Sequence, residues 1–296
     1  MVTASEKEKI LNLWNKFYRY DPTTIYQLNR KYFENKYVDI IGKQSNKSAF
    51  SLLCKKNGKF NNEDGKEDKE AWIFSAGYTQ KEQLIELLYK QIELARNLGI
   101  KKINYSNFSP GYFYPGLDSE KYPELYNLMN EIGFSTISTA LSMEAEIGEM
   151  QYELPKANDL EIGNLKMEDK EEFLAIVKDN FPFDCYLRVE GAIRYGSIDQ
   201  IAVAKYNNEI AGYSMYASGE GPFEYSPGER FGCFEVLEKY RSLGIGSRLL
   251  IATLINMKAN GIRHTYFLWT TEKASHLYKR HGFRITRRFQ IMSLLL

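Results

Sequence analysis

A chain of 296 residues with 39 basic and 38 acidic side chains carries a formal net charge of +1. So even a balance leaves no global field to draw the protein to nucleic acid or to an anionic membrane, and specificity has to come from a local site. Hydrophobic residues make up 44% of the chain, with 22 Tyr and 17 Phe, which excludes a disordered polymer and suits two globular domains of ordinary size.

The opening residues, MVTASEKEKI, lack the basic start, apolar centre and small-residue cleavage site of a signal peptide. No apolar run approaches the ~20 residues needed to span a bilayer, so a cytoplasmic location and no membrane partner are expected. SAFSLLC (48–54) and AWIFSAGY (71–78) read as strands joined by a polar, glycine-punctuated hairpin loop at 58–70. A long helix pattern (81–100) then leads into a strand (101–108). SPGYFYPGLDSEKYPE (109–124) reads as an insertion, followed by a helix ending at Gly133-Phe134 and a strand from 135.

A second polar stretch, GEMQYELPKAND (148–159), contains Pro155 and separates two halves of similar design. After it come a strand (160–165), a helix (168–181), a second helix near 189–195, and strands 199–206 and 209–218 joined at Asn207-Asn208. Beyond the loop at 219–229 lie strand 230–237, a glycine break, helix 247–262, strand 263–270, helix 272–283 and a last strand from 284. The order helix, Gly, strand, helix, Gly-Phe, strand therefore occurs twice, which suggests a duplication. The fold class expected is α/β or α+β in three layers.

Cys54, Cys185 and Cys233 are odd in number, far apart and without C-x-x-C spacing, so buried reduced thiols are expected rather than disulfides or zinc. His276 and His281 would point about 140° apart on a helix, too far to converge on one ion, and no metal is expected.

The glycine break lies in EVLEKYRSLGIGSRLLIATL (235–254). No window supplies the Walker pattern, and Leu249 stands where the dinucleotide fingerprint needs its third glycine. What remains is R-x-x-G-x-G, Arg241 to Gly246, between a strand and a helix whose Leu249, Leu250, Leu254, Ile255 and Met257 suit burial. A first helical turn has about four unpartnered N–H groups and roughly half a positive charge, and glycines let an anion approach without meeting a Cβ. The break is a plausible phosphate cradle.

Together with A-x-x-L-Y-x-x-x-G-F (Ala274, Leu277, Tyr278, Gly282, Phe283), the segment EVLEKYRSLGIGSRLL resembles the GNAT superfamily of acetyl-CoA-dependent N-acetyltransferases. The resemblance covers residues from 159 to the C-terminus well and the first half in outline. It implies two tandem GNAT-like domains, each a mixed, mostly antiparallel sheet flanked by helices: a degenerate copy at 1–150, where Gly77 stands alone without R-x-x-G-x-G, and an acetyltransferase domain at 151–296. The insertion at 109–124 could then line the groove between copies. By the same resemblance, coenzyme A is held by backbone groups of Val236 and Leu237 and by the N–H donors of Arg241, Ser242, Leu243, Gly244, Ile245, Gly246 and Ser247. Thr271 replaces the Asn common three residues before the Ala, capping the helix and offering a hydroxyl.

Acetyl transfer to an amine requires a neutral amine, a held oxyanion and a proton for the departing thiolate. A strand N–H of Val236 or Leu237 is the oxyanion candidate. The resemblance makes Tyr278 the acid, against a reading as a core aromatic. It makes Glu235 the base, against a reading as a glutamate paired to an arginine, and leaves Glu238 solvated. Glu220, Glu224, Glu229, Glu235 and Glu238 favour a cationic amine, small-molecule or peptide. The expected function is acetyl transfer by direct attack in the C-terminal half, the alternative a non-catalytic CoA-binding or regulatory protein on this fold.

Overall fold

The computed structural model describes residues 2–57, 69–109, 111–154, 159–217 and 231–296. The loops expected at 58–70 and 219–229, with Glu220, Glu224 and Glu229, and Pro155 of the separating stretch lie wholly or mostly outside the described residues. The chain forms two compact units, one of Met1–Ala140 with Arg287–Leu296, the other Leu141–Thr286.

Unit 1 opens with α1 (Ala4–Phe17), whose N-cap Thr3 hydroxyl accepts from the Glu6 N–H at 3.2 Å. The short α2 (Ile25–Leu28) runs on as a π-helical turn, Asn29–Phe33. Strands β1 (Val38–Ile40), β2 (Ala49–Lys56) and β3 (Glu70–Tyr78) pair antiparallel in sequence order. Helix α3 (Lys81–Asn97) buries Leu84, Leu87, Leu88, Gln91, Ile92 and Ala95, one stripe at 3.6-residue spacing, against β2 and β3. Gln91 sits in that stripe because its amide is matched: it accepts from the Ser51 hydroxyl at 2.6 Å and donates to Ser51 O at 2.8 Å.

Next, β4 (Lys102–Tyr105) lies parallel to β3, from Glu70↔Lys102 to Ile73↔Tyr105. It stops short of the strand expected to 108 because Ser106 and Asn107 take positive φ, 57° and 44°. Helix α4 (Pro123–Ile132) ends on a left-handed Gly133, φ 109°, which returns the chain into β5 (Ser135–Glu146). Tyr112, Phe113, Leu117, Asp118 and Tyr122 of the expected insertion are buried.

Unit 2 begins within β5 and continues with β6 (Leu160–Asn164), α5 (Lys170–Asn180) and α6 (Phe183–Arg194). Helix α6 starts well before the expected 189, directly after its N-cap Pro182. Strands β7 (Ile201–Tyr206), β8 (Glu209–Tyr216) and β9 (Phe231–Val236) complete an antiparallel sheet ordered β6-β7-β8-β9. The β7–β8 hairpin turns at Asn207 and Asn208, both at positive φ, the conformation a two-residue turn demands. Then follow α7 (Ile245–Ala259), β10 (His264–Thr270), α8 (Glu272–Lys279) and β11 (Arg284–Leu295).

One face of this sheet, with Val203, Ile210, Tyr213 and Met215, packs on Phe173 and Val177 of α5 and Val189 of α6. The other presents Ala202, Ala204 and Ala211, small enough for Ile245 and Leu249 of α7 to approach. Leu250, Leu254 and Met257 of α7 are fully buried as expected; Ile255 is not, being turned outward at 38% exposure.

The helix–strand–helix–strand order expected twice is α3-β4-α4-β5 and α7-β10-α8-β11. The compact units nevertheless divide the chain differently from a single cut at residue 150. Strands β5 and β11 each begin in one unit and end in the other, so the last ten residues fold with the first half. In unit 1 they pair antiparallel with β4, Met292↔Tyr105 to Leu295↔Lys102, while in unit 2 the end of β5 pairs with β10, Glu146↔His264. A strand of twelve residues is long enough to serve two cores, and its outer face alone reveals neither.

Candidate functional site

The sequence-derived site residues all fall in unit 2, around the ends of β9 and β10. Among the described residues no hydrogen-bonded register joins these strands: β9 is an edge of its own sheet and β10 pairs with β5. Aromatic side chains occupy the gap. Phe231 lies 5.7 Å from Phe267, and the Tyr278 ring of α8 sits 4.6 Å from Phe267 and 6.0 Å from Phe234.

Past β9 the chain makes a tight turn, Glu238–Tyr240, then passes through Ser242 at φ 69° and Gly244 at φ 75° into α7. A side chain at Gly244 would be strained by that φ and would bring its Cβ to 2.9 Å from Arg248 Nη1. Gly244 is the N-cap and has no side chain to satisfy the first turn. Among the described residues, no acceptor meets the backbone N–H groups of 242–247. They are the orphan donors of a helix start. At Gly246 the open position is different: a Cβ would meet Phe234, Leu277 and Val236 only at 3.5 to 3.8 Å, ordinary contact, so packing does not require glycine. The free donors and vacant Cβ position fit an anion lying against the turn.

Each backbone candidate on β9 can be assigned. Leu237 N–H donates to Ala211 O at 2.9 Å and is spent in the sheet. By strand alternation, Val236 then turns its N–H and C=O to the open edge, and its carbonyl accepts from Arg241 Nε at 3.2 Å. Arg241 thus folds back on the strand end. Thr271 caps α8, accepting from Ala274 N–H at 3.2 Å, with its own O–H still available to donate. Leu243 is exposed, Ile245 is buried in the core below, and Ser247 is held by His281, Oγ to Nε2 2.8 Å.

Burial raises the Glu235 pKa, with Arg241 pulling it down and Asp184 pushing it up. Burial first, and the Glu235 charge second, push the Tyr278 phenol well above its ordinary range. The two groups therefore sense each other, a half-buried carboxylate that holds a proton longer than usual and a phenol locked in its protonated form.

Four further residues were given no place in this site by the sequence. Arg248, beside Gly244, has a buried Nε with no partner among the described residues. His281, kept neutral by burial and by Arg280, holds Ser247. Cys185 of α6 places its Sγ 4.0 Å from Glu235 Oε1. Tyr213 is the cross-strand partner of Glu235, and among the described residues its buried hydroxyl has no hydrogen-bond partner. Only the arginine carries a signal in the sequence, standing four residues into a glycine-led helix; the others depend on which strand faces which helix.

Residues 197–285 match the family described as acetyltransferase (GNAT) domain. This part of the chain is a GNAT domain. Solved GNAT structures share the fold over much greater lengths. A GCN5-related glucosamine N-acetyltransferase region of a fungal multi-domain GH3 β-N-acetylglucosaminidase is 14% identical over 98% of this chain, with a TM-score of 0.75. This chain spans 37% of that protein. A tandem GNAT protein from the clavulanic acid biosynthesis pathway is 11% identical over 99% of this chain and 97% of its own, TM-score 0.64. A GCN5-related N-acetyltransferase from Sphaerobacter thermophilus is 12% identical over 83% of this chain and 76% of its own, TM-score 0.57. Comparison with curated proteins gave no match. At these identities the likeness establishes the fold: mixed sheets flanked by helices in the tandem GNAT arrangement, as the sequence led one to expect.

Proposed function

We propose that unit 2 transfers an acetyl group from acetyl-CoA to an amine, with the reaction at the end of β9. The observation that carries this reading is the run of N–H groups at 242–247 that no acceptor meets among the described residues, one strand end from Glu235 and with Gly246 facing Leu277, the residue before Tyr278 on α8. The donor supplies a thioester whose carbonyl carbon takes the amine and whose sulfur leaves as a thiolate. The turn at 242–247 and Arg248 hold its diphosphate, and Thr271 offers its hydroxyl alongside.

Glu235 accepts the proton that an alkyl ammonium must lose before it can attack. Its raised pKa matches that task better than an ordinary carboxylate would, because a base is most effective when its pKa lies near the working pH. Val236 N–H, on the open edge of β9, is the donor for the developing oxyanion; Leu237 N–H is engaged elsewhere. Tyr278 keeps its proton at neutral pH and gives it to the leaving sulfur. A small-molecule or peptide amine is the acceptor class, and Cys185, Asp184 and Tyr213 stand around the base on its side of the sheet.

Unit 1 supports a different role. Its Gly77, the counterpart of the glycine break, is packed shut: a Cβ would meet Phe50 at 2.7 Å and Phe17 at 2.9 Å. This favours a unit that keeps the fold without the donor site. Release of free thiol from acetyl-CoA against a panel of amines tests the reading. Turnover abolished in Tyr278→Phe supports it; binding of acetyl-CoA without release across the panel favours a CoA-binding regulatory protein.

A further inference from the structure

We propose that Cys185 and Cys233 form an oxidative modification site, which a peroxide closes into a disulfide beside Glu235. The two cysteines are distant in the chain, one in the first turn of α6 and the other on β9, and the fold brings them together. Residues two apart on a strand share a face, so Cys233 stands on the same side of β9 as Glu235. Its packing agrees, since it lies in the cluster formed by Val189 of α6 with Tyr213 and Met215 of β8. Cys185 reaches the same place from the helix, its Sγ 4.0 Å from Glu235 Oε1 and within hydrogen-bonding reach of the Cys233 thiol. Two sulfurs and a carboxylate thus form one cluster, and the Tyr213 phenol lies against all three.

The two thiols differ in access. Cys185 is 6% exposed, whereas Cys233 is only half-buried, so an oxidant arriving from solvent meets Cys233 first. Cys54 supplies the contrast within the same chain: it is fully buried in the core of unit 1, while both other cysteines belong to unit 2. Burial pushes the Cys54 thiol well above its ordinary pKa, which leaves little of the reactive thiolate.

The chemistry runs in two steps. The Cys233 thiol and hydrogen peroxide give a sulfenic acid and water. Cys185 then attacks the oxidised sulfur: an S–S bond forms, the S–O bond breaks, and the hydroxide leaves as a second water with the proton of the Cys185 thiol. Two electrons pass from the thiol pair to the peroxide. The attacking species is a thiolate, and Cys185 holds its proton tightly, because its hydrogen bond with Cys233 and its burial raise its pKa. Glu235 removes that obstacle: its Oε1 faces the Cys185 Sγ, and burial raises its own proton affinity. On the acetyl-transfer reading, on which this consequence rests, the modification is also a control. The disulfide ties the first turn of α6 to β9 and takes away the S–H that faces the base.

Treatment of the intact chain with hydrogen peroxide, then digestion without reductant and mapping by mass, tests the site. A chain lighter by two hydrogens is expected, with a crosslinked pair of peptides carrying Cys185 and Cys233. Cys185→Ser should instead leave Cys233 as a sulfenic acid that dimedone labels. Glu235→Gln should slow closure at least tenfold while dimedone labelling of Cys233 persists, a split that a merely structural carboxylate would not produce. After removal of the peroxide, acetyl transfer should be at least fivefold slower and should return with dithiothreitol. Oxidation of Cys54 ahead of Cys233, a Cys233 carried on to the sulfinic acid with Cys185 still reduced, or closure as fast in Glu235→Gln as in the wild type would overturn the proposal. A chain that closes the disulfide but transfers no acetyl group in either state would sink the acetyl-transfer reading and leave the modification site standing.

Discussion

Arg287 forks onto Asp21 across 266 residues of sequence, Nη1 to Oδ1 at 2.7 Å and Nη2 to Oδ2 at 2.8 Å. Its Nε donates to Asp118 Oδ2 at 2.7 Å, so a side chain from the last strand satisfies two buried carboxylates of unit 1. Tyr122 adds a hydrogen bond to Asp21 at 2.6 Å, and the other Asp118 oxygen accepts from the N–H groups of Glu120 and Lys121. Planar, bidentate geometry of this kind is what arginine supplies and lysine does not.

Arg287→Met is therefore expected to destabilise unit 1 by about 3–5 kcal/mol, the loss typical of stranding buried charges. Denaturant unfolding followed by the fluorescence of buried Trp14 and Trp72 measures it. Deleting 287–296 should be more severe, because β4 then loses its antiparallel neighbour. A deletion variant with the wild-type unfolding midpoint would contradict the assignment of those residues to unit 1.

The same network sets an acid limit. Burial works against ionised Asp21, but the hydrogen bonds and charge of Arg287 prevail and hold its pKa below the usual carboxylate value. A depressed folded-state pKa means stability that is present above the unfolded value and lost as pH falls through the folded one. Asp21→Asn should flatten that acid loss while lowering stability at neutral pH, which melting curves from neutral pH downward would record.

Glu235 has the opposite sign. Burial raises its pKa in the folded state, so its contribution to stability is lost as pH rises. Glu235→Gln should melt higher than the wild type at neutral pH, with the difference closing in acid, and yet lose about 10²–10⁴-fold in kcat. A variant that gains stability and keeps its activity would remove Glu235 from the role of base.

Arg241 lowers the Glu235 pKa through its charge. Arg241→Gln should therefore move the acid limb of the kcat profile, recorded at saturating acetyl-CoA, to higher pH. No movement of that limb would place the rate-controlling ionisation on another group.

Gly246→Ala separates packing from binding. The new methyl meets only ordinary contacts, so the melting temperature should stay within a degree or two, while affinity for coenzyme A falls at least tenfold. Gly244→Ala, in contrast, forces a side chain into φ 75° and should cost on the order of 1 kcal/mol on that ground alone.

Much of this protein is written locally. The stripe from Leu84 to Ala95, the apolar runs of β7 and β8, the Asn207-Asn208 turn and the glycine-led start of α7 are each fixed by residues a few positions apart, and the local pattern reports them. So does the repeat of helix, strand, helix, strand. Other features have no local signature. The π-helical turn after α2 is one, and the early start of α6 another.

The sequence alone determined the class of fold, the duplication and the turn at 241–247, because backbone geometry there depends on nearest neighbours. Only the tertiary structure decided that Leu237 N–H is spent on Ala211, that Cys185 and Tyr213 surround Glu235, and that Arg287 belongs with Asp21. The reason is physical: a hydrogen bond or a buried charge pair is a property of two positions, and when chain closure brings them together from far apart, neither position carries a trace of the other.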